Sequence, residues 1–313
     1  MQKHLSTSNS KYSIFKKVIF FILIIVVTGL GFQLIFEKKI ILSSSSSGSY
    51  KINRILNTNE VDEIPIFGSS RVQGTYIPSI LGSNYFNYGI DGTRGDVLLF
   101  FLEQECKKHK SNPFIIFNFE LEGFSNSTGD VNNYILNCNN KDVRELIHND
   151  YKFYYSIPFI KYFGNYTIYF KEYLNSKMMV TKYQDKGASI EKNILTKEKL
   201  YSLITERENT TTLFKNDSLL EHKFIKLFTE NPSRKFIIII PPYHPSYFKK
   251  FINYNDAENY LKNLSLKFKN ITVLNYSHLN YPDEYYFNTS HLNYKGAIQF
   301  NNLIKDTLKI IIK

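Results

Sequence analysis

The chain has 313 residues, of which 43% are hydrophobic and 21% charged, so it can bury a sizeable core and is not disordered overall. Two cysteines exclude a disulfide-stapled scaffold and a four-cysteine zinc site. The net charge of +11 suggests nucleic-acid binding, but the excess is spread along the chain and forms no basic helix or RNA-recognition motif. We therefore predict no nucleic-acid partner.

The first feature along the chain is an apolar segment, residues 18–36, that contains no charged residue. A helix of this length, at about 1.5 Å per residue, spans roughly the hydrocarbon core of a bilayer. The segment lacks the polar stripe of a core helix and the small-residue cleavage site of a signal peptide. It is therefore predicted to be an uncleaved transmembrane anchor.

Charged residues on either side of this anchor predict its orientation. Four lysines precede the apolar segment, whereas Lys38 and Lys39 follow it and are offset by Glu37. The positive-inside rule then assigns residues 1–17 to the cytoplasm and everything after the anchor to the outside of the plasma (inner) membrane. Residues 37–60, with the run Ser43–Ser49, are predicted to be a flexible linker to a main domain of residues 61–313.

Short apolar runs alternate with amphipathic segments in this domain. Five runs are predicted to be strands: 64–68, 85–88, 113–119, 235–240 and 271–275. Residues 96–106 and 297–312 have the apolar spacing of helices. Continuous apolar strands separated by helices indicate an α/β domain of three layers, in which helices cover both faces of a parallel five-stranded sheet. Ligands bind such sheets at the carboxyl ends of the strands.

Residues 123–230 interrupt this alternation and are too long for one crossover connection. They are predicted to be a mostly helical insertion. Between residues 151 and 173 the insertion is dense in tyrosine and phenylalanine. These rings fit a cleft in which sugars stack, or helix packing against the main domain, which is the interpretation we favour.

Two motifs fall at the carboxyl edge of the predicted sheet. The sequence GSSR, residues 68–71, follows the first strand, where the backbone N–H groups of a turn can face an anion. The sequence NTSHLN, residues 288–293, lies between the last strand and the terminal helix. Ser70 and His291, brought together at this edge, would form a nucleophile and its general base.

These two motifs, together with NYGIDGT at residues 87–93, resemble the SGNH or GDSL-type hydrolases. The resemblance covers residues 61–122 and 232–313, and is strongest to membrane-anchored members related to polysaccharide O-acetylation and to D-alanyl transfer onto teichoic acid. It implies a flavodoxin-like sheet, Ser70 as nucleophile and His291 as base. It also implies a backbone donor to the oxyanion hole, which is Gly92 or its rival Gly89.

The sequence departs from the family pattern at two points. Asn288 stands where the family has its acid, three residues before the histidine; its carbonyl can orient the imidazole but cannot balance the imidazolium charge. Asp283 or Glu284 are alternative sources of that charge. The family's third block is missing after the third strand, where Asn118 is the candidate for the second oxyanion donor.

Three further residues are candidate substrate contacts. Arg71 could bind an acidic sugar or face outward on a helix, and Tyr243 and His244 could contact substrate or belong to a loop stiffened by its prolines. The seven histidines show no metal-ligand spacing, so we predict no metal and no other cofactor.

The resemblance implies a membrane-anchored serine esterase or O-acyltransferase that acts on an extracytoplasmic glycan or an acylated small molecule through an acyl-serine intermediate. The alternative is a catalytically weak or inactive SGNH-fold protein. Such a protein would serve as a glycan-binding or assembly factor, with polysaccharide-assembly proteins as partners.

Overall fold

A computed structural model of the chain describes residues 6–158, 160–178, 181–206, 211–249 and 251–312. The apolar runs form its strands. Five of them make one sheet: β1 (Ile64–Phe67), β2 (Tyr85–Asn87), β3 (Phe114–Asn118), β6 (Lys235–Ile240) and β7 (Ile271–Asn275). Two antiparallel pairs lie outside it: β4 (Lys182–Asp185) with β5 (Ala188–Glu191), and β8 (Tyr286–Asn288) with β9 (His291–Leu292).

The five-stranded sheet is parallel throughout, as predicted. Its strands lie in the order β2-β1-β3-β6-β7, and each neighbouring pair runs in the same direction. All five predicted strands are present, and β6 and β7 have the predicted ends. The carboxyl ends of the strands therefore meet at one edge.

Helices cover both faces of the sheet. The α-helices of the chain are α1 (Ser6–Phe36), α2 (Gly48–Asn57), α3 (Ser70–Gln73), α4 (Pro78–Leu81), α5 (Gly95–Cys106), α6 (Lys141–Leu146), α7 (Tyr166–Met178), α8 (Lys197–Glu206), α9 (Ser218–Glu230), α10 (Pro245–Phe248), α11 (Tyr254–Lys267) and α12 (Tyr294–Ile312). Short 3₁₀ turns are formed by Val131–Asn133, Ile135–Asn137, Phe153–Ser156 and Asp283–Tyr285. Helices α2, α5, α9 and α11 pack on the face that holds Phe67, and α3, α4 and α12 on the face that holds Ile66. Successive strand residues point to opposite faces, so a sheet covered on both sides requires the continuous apolar runs seen in the sequence.

The stretch 123–230 is less uniformly helical than predicted. Besides α6, α7 and α8 it contains the hairpin of β4 and β5, whose turn residues Lys186 and Gly187 have φ of +37° and +91°. Positive φ at both central residues matches the right-handed twist of a two-residue hairpin. The stretch also ends in α9, which packs on the sheet through Leu220 and Phe224. The insertion proper therefore stops before α9.

The N-terminal apolar segment is a single helix. Helix α1 continues into a π-helical turn, Glu37–Ile41, and the stretch Ser13–Ile41 is long and apolar enough to cross a membrane. Its apolar side chains are exposed along most of this length, as those of a lipid-facing helix are. Residues 1–5 of the predicted cytoplasmic tail lie outside the described residues.

The serine-rich segment that follows is not a flexible linker, so this prediction was wrong. Ser47 caps α2 by accepting a hydrogen bond from its first turn, and Gln73 donates to the carbonyl of Ser46 at 3.0 Å. In α2, the fully buried Lys51 donates to the carbonyl of Gly89 in the loop after β2. A serine run is flexible only where its polar groups bond to water, and here they bond to the domain.

Phe36 fixes the end of α1 to the domain. It is 2% exposed, and its ring centroid lies 5.4, 4.9 and 6.0 Å from those of Tyr162, Tyr166 and Tyr169. The next residue, Glu37, accepts a hydrogen bond from the Tyr162 hydroxyl at 2.8 Å. Tyr162, Tyr166 and Tyr169 of the insertion therefore serve helix packing, but against the end of α1 rather than against the sheet.

Replacing Phe36 by alanine tests whether the end of α1 is docked or loose. Truncation of a buried phenylalanine costs about 3–5 kcal/mol, so Phe36→Ala should raise amide hydrogen exchange in residues 131–138 and in α7. Leu34→Ala is the matched control, because Leu34 is 66% exposed two residues away. Equal exchange in the two variants would show that the aromatic cluster holds without Phe36.

Candidate active site

The GSSR turn positions Ser70 at the carboxyl end of β1. Gly68 has φ of +153°, and a Cβ there would lie 2.4 Å from a methyl of Val72, so only glycine fits. The hydroxyl of Ser69 accepts from the Arg71 N–H at 3.3 Å and caps α3. Ser70 is therefore the first residue of α3, and its N–H has no partner within the helix.

The β8–β9 hairpin positions His291. Asn288 pairs with His291 across the two strands, and its Oδ1 accepts from the backbone N–H of Ser290 and of His291, both at 2.9 Å. The same oxygen lies 3.0 Å from His291 Nδ1. The Ser290 hydroxyl also lies 3.1 Å from Nδ1. Because two backbone donors identify Oδ1 of Asn288 as an acceptor, we infer that Nδ1 of the imidazole carries the proton and donates it to Asn288.

The serine and the histidine meet directly. Ser70 Oγ lies 2.9 Å from His291 Nε2, although the two residues are 221 positions apart in the sequence. With the proton on Nδ1, Nε2 is the acceptor and the Ser70 hydroxyl is the donor. The structure thus brings Ser70, His291 and Asn288 together in one hydrogen-bonded chain, which is the geometry that a nucleophile, its base and an orienting group require.

Of the two glycines considered for the oxyanion hole, Gly92 is the one that lines the cavity of Ser70. It occupies the third position of a tight turn with φ of +72° and lines the same cavity as Ser70 and His291. The N–H of Gly89 is taken by Oδ1 of Asn87 at 2.9 Å. Gly89 therefore has no backbone donor to offer.

Asn118 is not brought to the serine and the histidine. It ends β3, is 1% exposed, and its amide nitrogen donates to Oε1 of Glu120 at 3.2 Å. It does not line the cavity that holds Ser70. The family's third sequence block is missing here, and Asn118 does not supply the second oxyanion donor in its place.

Arg71 belongs to a buried network of charges. It pairs with Glu120 and, at 3.3 Å, with Glu122, which also accepts from the Tyr247 hydroxyl at 2.5 Å. Its guanidinium lies 4.2 Å from the ring centroid of Tyr243. Arg71 therefore does not face outward into solvent. Its charge is already compensated by Glu120 and Glu122, so it is not a free cation for an acidic sugar.

The charges of this network set each other's pKa. Burial alone would lower the pKa of Arg71, but Glu120 and Glu122 outweigh burial and raise it. Burial alone would raise the pKa of Glu122, but the charge of Arg71 and the hydrogen bond from Tyr247 bring it below its ordinary value. Arg71 and Glu122 therefore carry opposite charges beside Ser70.

Tyr243 and His244 lie outside the cavity. Tyr243 is 1% exposed beneath Arg71, and His244 bonds to Ser246 through Nδ1 at 2.7 Å and to Asp283 through Nε2 at 3.1 Å. These contacts favour the stiff-loop interpretation over substrate contact. Asp283 is thus bonded to His244, and Glu284 is exposed. Of the three residues considered as the partner of His291 Nδ1, only Asn288 contacts it.

The cavity at Ser70 has a volume of about 400 Å³ and a polar lining with charges of both signs. The following residues line it: Ser69, Ser70, Arg71, Asp91, Gly92, Thr93, Arg94, Glu120, Glu122, Ser127, Thr212, Tyr247, Ser290 and His291. Sequence reasoning missed Glu120 and Glu122, although they follow β3 at the predicted edge. It also missed Arg94 and Thr212, which carry no local signal. Within the described ranges, no group of three or more His, Cys, Asp or Glu side chains is arranged to hold a metal ion.

No family model matches the chain, and no curated protein sequence matches it.

The ionised network gives a prediction about stability. The carboxylate of Glu122 stabilises the fold above its ordinary pKa of 4.5, and this contribution is lost as the pH falls through its lower folded value. Between about pH 6 and pH 3, the melting temperature of wild type should therefore fall more steeply than that of Glu122→Gln.

Glu230→Gln is the control, because Glu230 forms only an exposed pair with Lys226 at 3.8 Å. This variant should follow wild type. If Glu122→Gln also follows wild type over the whole range, the Arg71–Glu122 pair contributes nothing to the acid sensitivity of the fold.

Proposed function

We propose that the protein is a membrane-anchored serine esterase or O-acyltransferase of the SGNH type. One observation carries the proposal: Ser70 Oγ lies 2.9 Å from His291 Nε2, and Asn288 Oδ1 lies 3.0 Å from His291 Nδ1. A histidine that joins a serine hydroxyl, at the mouth of a cavity, to an orienting amide is typical of acyl-transfer sites.

The sheet supports the same proposal. Counting only its own strands, the order is 2-1-3-4-5, which is the flavodoxin-like order that the SGNH resemblance implies. Ser70 follows the first of these strands, and His291 lies between the last one and α12. Both positions correspond to those of the resemblance.

The residues suggest a two-step mechanism. Ser70 Oγ attacks an ester carbonyl while His291 Nε2 takes its proton, and the N–H groups of Ser70 and Gly92 stabilise the oxyanion. The tetrahedral intermediate collapses, and His291 returns the proton to the leaving alcohol. Water or a sugar hydroxyl, deprotonated by His291, then attacks the acyl-serine and releases Ser70.

Asn288 limits the rate in this scheme. Its amide holds the imidazole in the productive tautomer, but it has no charge to stabilise the imidazolium that forms during attack. Three N–H groups already point at its Oδ1, two from the backbone and one from the imidazole. Such donors favour an ionised carboxylate at this position, so the site is built to accept an aspartate.

The proposed substrate is a glycan ester outside the membrane, with a small acyl group such as acetyl. In this proposal α1 crosses the plasma (inner) membrane with its N-terminus in the cytoplasm and the main domain outside. The polar cavity, with Arg94 and several hydroxyls at its wall, fits a polyhydroxylated acceptor better than an apolar ligand. The glycan itself is inferred from the family analogy.

Labelling by a fluorophosphonate tests the nucleophile. Wild type should form a covalent adduct and Ser70→Ala should not, because the hydroxyl bonded to His291 is lost. Ser246→Ala is the matched control, since Ser246 bonds to a histidine, His244, outside the cavity. The full chain in detergent is used, because truncation before residue 45 would remove the buried Phe36 and Ile41. Equal labelling of all three proteins would exclude Ser70 as the nucleophile.

Asn288→Asp separates the weak enzyme from the binding protein. Aspartate should raise the rate of p-nitrophenyl acetate hydrolysis at least about tenfold, with the ~10⁴-fold effect in a serine protease triad as the upper bound. Asn288→Ala should lower it, because the imidazole loses its orienting partner. The alternative function, a glycan-binding or assembly factor with an inactive site, is favoured by the asparagine and by the position of Asn118. This alternative is supported if none of these variants hydrolyses p-nitrophenyl acetate faster than the uncatalysed background.

A further inference from the structure

Helix α7 carries a row of exposed apolar side chains. Phe170, Leu174 and Met178 follow one another at intervals of four residues and are 42%, 51% and 66% exposed. The face that α7 turns to the protein is marked by the buried Tyr169. A helix on the surface of a soluble domain turns its apolar row inward, so an outward row indicates a second apolar partner.

The row is continuous with the surface of α1. The ring centroid of Phe170 lies 5.5 Å from that of Phe36, and Tyr166 lies 6.1 Å from Phe32, one helical turn earlier in α1. Phe32 is itself 53% exposed. The lipid-facing side of α1 and the row on α7 therefore form one apolar surface, and the two helices meet at the end of the apolar span.

Residues around the row have the composition of a membrane interface. Phe163, just before α7, is 70% exposed and follows Tyr162, which bonds to Glu37 at the end of the span. Lys171 and Lys177 are exposed on α7 beside the row. Aromatic rings with neighbouring lysines are typical of helices that lie at the level of the lipid headgroups.

We propose that α7 lies in the outer interface of the bilayer that α1 crosses, with Phe163, Phe170, Leu174 and Met178 among the lipid acyl chains. The occupant of the apolar row is then lipid rather than a protein. This inference rests on α1 being a membrane span, but it is independent of the chemistry at Ser70. The membrane would hold the domain at two places, α1 and α7, and so set its orientation.

The absence of tryptophan from the sequence permits a direct test. Single tryptophans are introduced into the full chain, which is reconstituted in vesicles of anionic phospholipids brominated near the headgroup end of the acyl chains. Leu174→Trp and Phe163→Trp report on α7. Ile24→Trp, in the apolar span of α1, reports on insertion of the anchor. Leu266→Trp, on the 74% exposed position of α11, is the water-facing control.

Leu174→Trp and Phe163→Trp should lose most of their emission relative to unbrominated vesicles, because an interfacial helix buries its apolar face roughly 5–10 Å into the boundary of headgroups and acyl chains. Leu266→Trp should lose none. If Ile24→Trp is quenched and both α7 reporters behave like Leu266→Trp, α1 spans the membrane and the proposal for α7 is overturned. If Ile24→Trp is also unquenched, the span itself is wrong.

A second copy of the chain is the competing occupant. In that case the α7 reporters would emit at shorter wavelength without quenching, and the shift would disappear as the protein is diluted in excess lipid. This result would overturn the proposal, whereas quenching that is independent of protein density supports it.

Discussion

The apolar character of the sheet on both faces determines where the chemistry of this chain can lie. Ile66 and Phe67 are adjacent in β1, yet they pack into different cores on opposite sides. A strand buried in this way carries polar groups at or beyond its end, and parallel strands end together. One cavity is therefore lined by Ser70 after β1, Gly92 after β2 and Glu120 after β3. These residues are far apart in the sequence, and only the sheet brings them together.

The ionised network beside the serine is a second constraint on this edge. Burying an arginine with two carboxylates costs desolvation energy. The attraction between the three charges offsets this cost only where their geometry is good. Here Arg71 also stacks on Tyr243, and the Tyr247 hydroxyl donates to Oε1 of Glu122. Because Arg71 follows Ser70 directly, the network fixes the first turn of α3 and with it the direction of the Ser70 side chain. Fold stability and site geometry thus depend on the same contacts.

The parts of the structure that the sequence predicted are those encoded by local pattern. Runs such as KFIIII predict strands because they are too apolar to be exposed, and Ser70 and His291 are predicted to meet because they follow strands that share an edge. The serine-rich segment differs from its prediction because composition does not reveal whether a carbonyl has a partner, and Gln73 supplies one to Ser46. The engagement of Asp283 by His244 and of Glu120 by Arg71 likewise depends on tertiary approach, to which spacing in the chain gives no guide.

The bond from Gln73 to Ser46 has a mechanical consequence. Gln73 ends the short helix that begins with Ser70, and Ser46 lies a few residues beyond the end of the apolar span. A span that is longer than the local bilayer thickness tilts, and thinning of the bilayer increases that tilt. In the proposed membrane topology, the buried Phe36 and the bond from Gln73 to Ser46 would carry such a tilt to the turn that holds Ser70. Bilayer thickness would then act on the position of the hydroxyl that faces His291.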